Sequence, residues 1–223
     1  MLMLRQIYWL ASKDILIEAR SRQTIGLVVV LGVLIIVVLG LGLEPSQTSG
    51  FSATAILWVA YLFGGVLCFE KTMAVERHDE ALAGLLLAPI DRGAIYIAKL
   101  ISNLILMFSL AIVVTPVAVL LFHFDLSAAL GAFVLIMSIS MVGFAAVGTL
   151  FSATISSSRL QGGLLAMLIF PISLPLVITS SQLLLRIFRG NQELSFSGLS
   201  ILIAFDVIFL VASWLVFELI LEP

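Results

Sequence analysis

Apolar residues run along this chain in six long blocks separated by short polar interruptions. The blocks fall at Ile25–Leu43, Phe51–Phe69, Ala94–Phe122, Ala128–Phe151, Leu160–Leu185 and Leu199–Leu221. Each is about 20 residues or longer and nearly free of charge, enough to carry a helix across a hydrocarbon core about 30 Å thick. The pattern predicts an all-α, polytopic membrane protein with six transmembrane helices. The third block is long for one crossing, so its first turns are expected at the membrane interface. The interruptions at Glu44–Gly50, Glu70–Gly93, His123–Ser127, Ser152–Arg159 and Arg186–Gly198 leave no room for a soluble domain. Residues 1–223 therefore read as one transmembrane domain, and any aqueous enzyme it needs must come from a partner.

The first 24 residues follow a different pattern. At about 100° per residue, Leu4, Ile7, Tyr8, Ala11 and Ile15 fall on one arc and Arg5, Lys13 and Arg20 on the opposite one. That is the pattern of a helix lying in the membrane surface, expected over residues 1–24, with a disordered tail as the alternative reading. Trp9 and Leu16 sit among the basic positions, and Glu18 sits among the apolar ones.

Composition agrees: 62% of residues are hydrophobic and only 11% charged, against about 25% charged in soluble domains. The net charge of −2 comes without a basic block, so nothing points to nucleic acid. Arg5, Lys13, Arg20, Arg22, Lys71, Arg77, Arg92, Lys99 and Arg159 fall on one side of the expected topology, and only Arg186 and Arg189 on the other. By the positive-inside rule both termini and the Glu70–Gly93 loop are cytoplasmic. A single cysteine, Cys68, excludes a disulfide framework or zinc cluster within the chain. No secretory cleavage pattern is expected at the N-terminus. The phosphate-cradling G-x-x-x-x-G-K-[ST] is absent, so ATP hydrolysis by that route is not expected here.

The charge is concentrated. "FEKTMAVERHDEALAGLLLAPIDRGAIYIAKL", Phe69–Leu100, holds nine of the 24 Asp, Glu, Lys and Arg residues. Within it Val75, Leu82, Leu85 and Leu86 fit a helical stripe, with Glu76, Arg77, Asp79 and Glu80 on a polar face. Pro89 stops that helix and Asp91 stands where the next one needs an N-cap. A short helix over Val75–Ala88 is expected, and residues 70–93 read either as a docking surface for a partner or as a plain connector. Glu70 and Lys99 flank it, placed to pair with each other or with lipid headgroups.

Inside the spans, "FPISLPLVITSS" puts Pro171 and Pro175 in the fifth block, and Pro116 lies in the third. Static packing kinks and a moving hinge are both open readings. Ala60-x-x-x-Gly64 and Gly148-x-x-x-Ser152 permit close helix approach. Asp206 lies about seven residues into the last block, roughly 10 Å deep, so its carboxyl should face protein or a wet cavity. Donation by a protonated form to a neighbouring Ser or Thr is the alternative. His123, at the outer mouth of the third block, reads as an interfacial polar residue or a lone ligand. No catalytic or metal-binding constellation can be assembled.

The six-span layout, the amphipathic first helix and the charged loop after the second span resemble an ABC-2-type export permease. "FEK", the charged run to Asp79, "LLLAP", "IAK" ten residues beyond that proline, and "FPISLPLVI" narrow the resemblance to the CcmB family of haem-exporter permeases. The family's coupling segment reads roughly D-G-x-L-E, whereas this chain has Asp79-Glu80-Ala81-Leu82-Ala83 and lacks the acid after the leucine. The resemblance implies a permease of a bacterial-type inner membrane, paired with itself and with a separate cytoplasmic ABC ATPase subunit. It implies service to c-type cytochrome biogenesis beside a tryptophan-rich haem-handling membrane protein and a haem chaperone. Glu76, Arg77, Asp79, Glu80, Leu82, Leu85 and Leu86 would then couple to the ATPase, and Pro171 and Pro175 would serve as a hinge. Haem enters as a substrate rather than a resident cofactor. The chain has no haem-ligand set, which favours ATP-driven release of loaded chaperone over translocation of haem itself. The alternatives are a permease for a glycan, lipid or drug, and a non-transporting membrane scaffold.

Overall fold

The computed structural model describes residues 2–42, 50–78, 91–122, 129–155, 161–188 and 196–220. Among them are seven helices: α1 (Leu2–Ser21), α2 (Gln23–Gly42), α3 (Gly50–His78), α4 (Arg92–Phe122), α5 (Leu130–Ile155), α6 (Gln161–Phe188) and α7 (Phe196–Ile220). The helices α2 to α7 are long and apolar enough to cross a membrane, so this is a multi-pass membrane protein.

α3 and α5 form the middle of the bundle. α2 leans on α3 and α4, and α7 leans on α5, α6 and α4. Most of the largest fully buried side chains, among them Trp58, Tyr61, Phe69, Phe144, Met107 and Met141, lie on α3, α4 and α5, with Ile36 of α2 and Ile169 of α6 beside them. Without a hydrophobic force between helices in lipid, close packing and interhelical hydrogen bonds must hold such a core together. Both are present. The Phe144 ring of α5 occupies the space over Gly65 of α3, while the Phe69 ring of α3 occupies the space over Gly148 of α5. The two rings meet with centroids 5.3 Å apart. Each helix thus offers a glycine hollow to the other's phenylalanine. Tyr61 and Thr115 share a 2.6 Å hydrogen bond between α3 and α4, and Asn103 Nδ2 donates to Thr149 Oγ1 at 2.9 Å between α4 and α5.

One boundary departs from expectation. α3 does not stop at Phe69 but continues to His78, so Glu70, Lys71, Glu76 and Arg77 belong to the second span's own helix. Val75–His78 are accordingly continuous with α3 rather than the start of a separate short helix. No Gly or Pro interrupts 66–78, and Lys, Met, Ala, Glu and Arg in that stretch are good helix formers. At 29 and 31 residues, α3 and α4 are each over 40 Å long at about 1.5 Å per residue. Asp79, Glu80, Leu82, Leu85 and Leu86 lie outside the described residues, as does His123.

Candidate functional site

The charged-loop end of the bundle is assembled from four helix ends. α4 begins where Asp91 caps it: Gly93 N–H donates to Asp91 Oδ1 at 2.9 Å, and Ala94 N–H donates to the Asp91 carbonyl at 3.0 Å. The next two turns of α4 present Ala94 and Ala98, small enough for α1 to lie directly against them. Ile7 and Ala11 of α1 fill that contact, making a buried cluster separate from the main core. The predicted apolar arc of α1 is therefore divided. Ile7 and Ala11 face α4, while Leu4 and Tyr8 stay exposed with Trp9, as befits a helix whose other neighbour is the membrane surface.

Polar contacts complete the joint. Lys99 is only 5% exposed, and its Nζ meets Asp14 Oδ2 at 2.7 Å. This corrects the expectation that Lys99 pairs with Glu70 or lipid headgroups: α1 covers it and supplies the counter-charge. Asp14 was not singled out from sequence, since an acid on a surface helix gives no sign of a buried cation 85 positions away. Glu18, out of place among apolar positions, also finds its reason. Its Oε1 accepts Ile25 N–H at 2.9 Å and so caps the start of α2. Between the two helices Arg22 adopts φ 50°, and its N–H donates to the Glu18 carbonyl at 2.7 Å. This left-handed residue closes α1 and turns the chain into α2. α1 is thus in contact with the start of α4 and, through Glu18, with the first turn of α2. At the same end Trp214 of α7 lies against Gly93, its Cζ2 3.1 Å from where a side chain there would begin.

The remaining predicted residues do not join this site. Pro171 and Pro175 sit within the continuous helix α6 and face outward beside the exposed Leu174 and Ile178. Their missing N–H groups release the carbonyls of Met167 and Pro171. Asp206 faces protein, being 8% exposed. Its Oδ1 is packed on Gly143 of α5 and has no hydrogen-bond partner among the described residues. Among the described residues no three His, Cys, Asp or Glu side chains converge as a metal site would require.

Residues 5–218 match the family model described as CcmB protein, a span that takes in parts of all seven helices. The chain belongs to this family. It is similar to heme exporter protein B of Haemophilus influenzae, 27% identical over 144 residues, covering 65% of this chain and 64% of that relative. Heme exporter protein B of Rhodobacter capsulatus is 25% identical over 179 residues, covering 79% of this chain and 81% of the relative. The chain thus spans just under two thirds of the first relative's length and about four fifths of the second's. The family match reaches across the sequence between α3 and α4 and the joint around Lys99, the region where charge gathers in an otherwise apolar protein.

Proposed function

We propose that this chain is the transmembrane permease subunit of an ABC-type exporter complex required for c-type cytochrome biogenesis. The observation that carries the reading is the family match over 5–218 on a six-span bundle. The chain supplies the membrane path or lever and no ATPase of its own. A separate cytoplasmic ATPase subunit docks on the charged segment at the ends of α3 and α4, with Glu76, Arg77, Asp79 and Glu80 toward it. Leu82, Leu85 and Leu86 hold the segment against the inner ends of the spans. The work done is haem export or ATP-driven release of a haem-loaded chaperone. A tryptophan-rich haem-handling membrane protein and the chaperone act beside it, and haem is cargo rather than cofactor. A second copy of the chain completes the permease. Seated on the outward face of α6, it would cover carbonyls freed by Pro171 and Pro175 that lipid cannot satisfy. The complex lies in a bacterial-type inner membrane with both termini cytoplasmic.

Copurification in mild detergent tests the assignment. An ABC ATPase is expected to come down with the wild-type chain. Leu85→Asp should lose it while still inserting, because it puts a charge on the apolar stripe. The pair Glu76→Lys, Asp79→Lys should weaken capture in a salt-sensitive way, since surface ion pairs are worth only about 0–1 kcal/mol each. Wild-type capture by all of these variants would reduce the segment to a connector.

Orientation has its own test. In a Cys68→Ser background, cysteines at Gln47 and Gln192 are expected to react with an impermeant thiol reagent from outside, and one at Glu80 is not. The reverse pattern would invert the topology. For the hinge, Pro171→Ala with Pro175→Ala should leave protein abundance intact and stop cytochrome c maturation. A parallel fall in abundance would mark the prolines as packing kinks, and unchanged maturation would remove the hinge.

A further inference from the structure

A cavity of about 150 Å³ lies where α1, α2, α3 and α4 meet at the charged-loop end. Its rim and its throat differ in chemistry. At the rim stand Glu18 of α1 and Lys71 of α3. Asp14 is there too, but its carboxylate is already held by Lys99 at 2.7 Å and Lys13 at 3.4 Å. Glu18 takes one backbone N–H from Ile25 and, among the described residues, no cation. Lys71 is exposed and, among the described residues, forms no ion pair. Among the described residues, an acid and a base that each lack a counter-charge thus border a single cavity without closing on each other.

The throat is apolar. Ile25, Ile105 and Leu106 line it. Three of the four hydroxyls that line the cavity are taken up, since Thr72, Ser102 and Ser109 each donate to the carbonyl four residues back, at 2.7, 3.0 and 2.8 Å; Thr24 supplies the fourth. Ile17 of α1 and Ile105 of α4 are 40% and 39% exposed and frame an opening toward the bilayer. The arrangement, a split pair of charges above a greasy slot beside a surface-lying helix, matches a zwitterionic amphiphile.

We propose that this cavity binds one aminophospholipid from the leaflet on the charged-loop side. Its phosphate sits on Lys71, its primary ammonium on Glu18, and an acyl chain runs past Ile25, Ile105 and Leu106. A primary ammonium brings three N–H donors to the carboxylate, whereas a choline headgroup brings none. An anionic headgroup without an amine brings no donor to Glu18 and leaves it uncompensated. The occupant is therefore phosphatidylethanolamine rather than phosphatidylcholine or phosphatidylglycerol. The proposal uses neither the ATPase nor haem.

The test uses the full chain reconstituted in nanodiscs holding equal parts of those three lipids, then released and weighed by native mass spectrometry. One phosphatidylethanolamine per chain is expected to survive release, in excess over the other two. Lys71→Gln should lower that retention by roughly fivefold, the weight of one partly exposed charge contact. Ile105→Trp, which fills the throat, should lower it at least as much. Cys68 is buried, so its continued protection from thiol reagents certifies that each variant is folded. Retained lipid that mirrors the bulk mixture overturns the site, as does equal retention of phosphatidylglycerol. Unchanged phosphatidylethanolamine in Lys71→Gln overturns it as well, whether or not Ile105→Trp folds.

Discussion

Valine at Gly148 is expected to destabilise the bundle by about 3 kcal/mol, the upper end of the range for overpacked cores. A Cβ there would overlap the Phe69 ring. That ring is fully buried and backed by Phe144 at 5.3 Å, which itself fills the hollow over Gly65. The ring has no vacant space to move into, so the helices must part. Cys68, the chain's single cysteine, is buried in the core one residue before the ring. The temperature at which it becomes reactive to a thiol dye reports the loss of packing, and light scattering checks that the transition is global. A fall of roughly 6–12 °C corresponds to that destabilisation in a chain of this size. Phe69→Ala alone should cost a similar amount through the cavity it leaves. Combined, the two changes should cost at least about 1 kcal/mol less than their sum, because each removes the other's conflict. Simple additivity would show that the ring and the glycine do not share one space.

Gly148 was visible in the sequence only as half of a small-xxx-small pair, a motif too common in membrane helices to name its partner. What was legible follows from cost. Leaving about 20 apolar residues out of the bilayer is prohibitive, so the six spans could be read from composition and length. An N-cap is a local device, so Asp91 could be placed at the start of α4 from Pro89 and the apolar run that follows. The extension of α3 to His78 was hidden because charge in a membrane protein reads as loop, although Lys, Glu and Arg are strong helix formers once a helix is running. Glu18 and Lys99 were hidden for a different reason. Each is satisfied by a group on another element, and a lone acid or base in a sequence does not reveal whether water or protein solvates it. Of the proposed coupling residues, Glu76 and Arg77 fall on the last turns of α3. The Asp79–Leu86 positions lie beyond the described helix ends.

Removing the Asp14 carboxylate is expected to cost about 3–5 kcal/mol, the price of exposing a buried charge to the loss of its partner. Lys99 is only 5% exposed and lies within the α1–α4 contact beside Ala98. Asp14→Ala leaves its ammonium in that contact with the carboxylate gone. Releasing it to water requires lifting α1 from Ala94 and Ala98. Replacing both partners by apolar residues of similar shape, Asp14→Leu with Lys99→Met, should cost far less, because no buried charge then remains and the half-exposed Lys13 is solvated by water. Stability is read again from Cys68 reactivity. The position of α1 is read separately, from disulfide formation between cysteines placed at Ala11 and Ala98 in a Cys68→Ser background. That crosslink should form readily in the otherwise native chain and in the apolar double variant, and fail in Asp14→Ala. The consequence reaches α2, because Glu18 holds the first turn of α2 from the same helix at 2.9 Å. An α1 detached from α4 can no longer pass motion from the charged-loop end of α4 to the first span. Under the proposed function, cytochrome c maturation should therefore fall in Asp14→Ala even where the folded chain is present at normal abundance, and return in the double variant. Maturation lost equally in both would mean that the charges themselves act, and that α1 is not the link between α4 and α2.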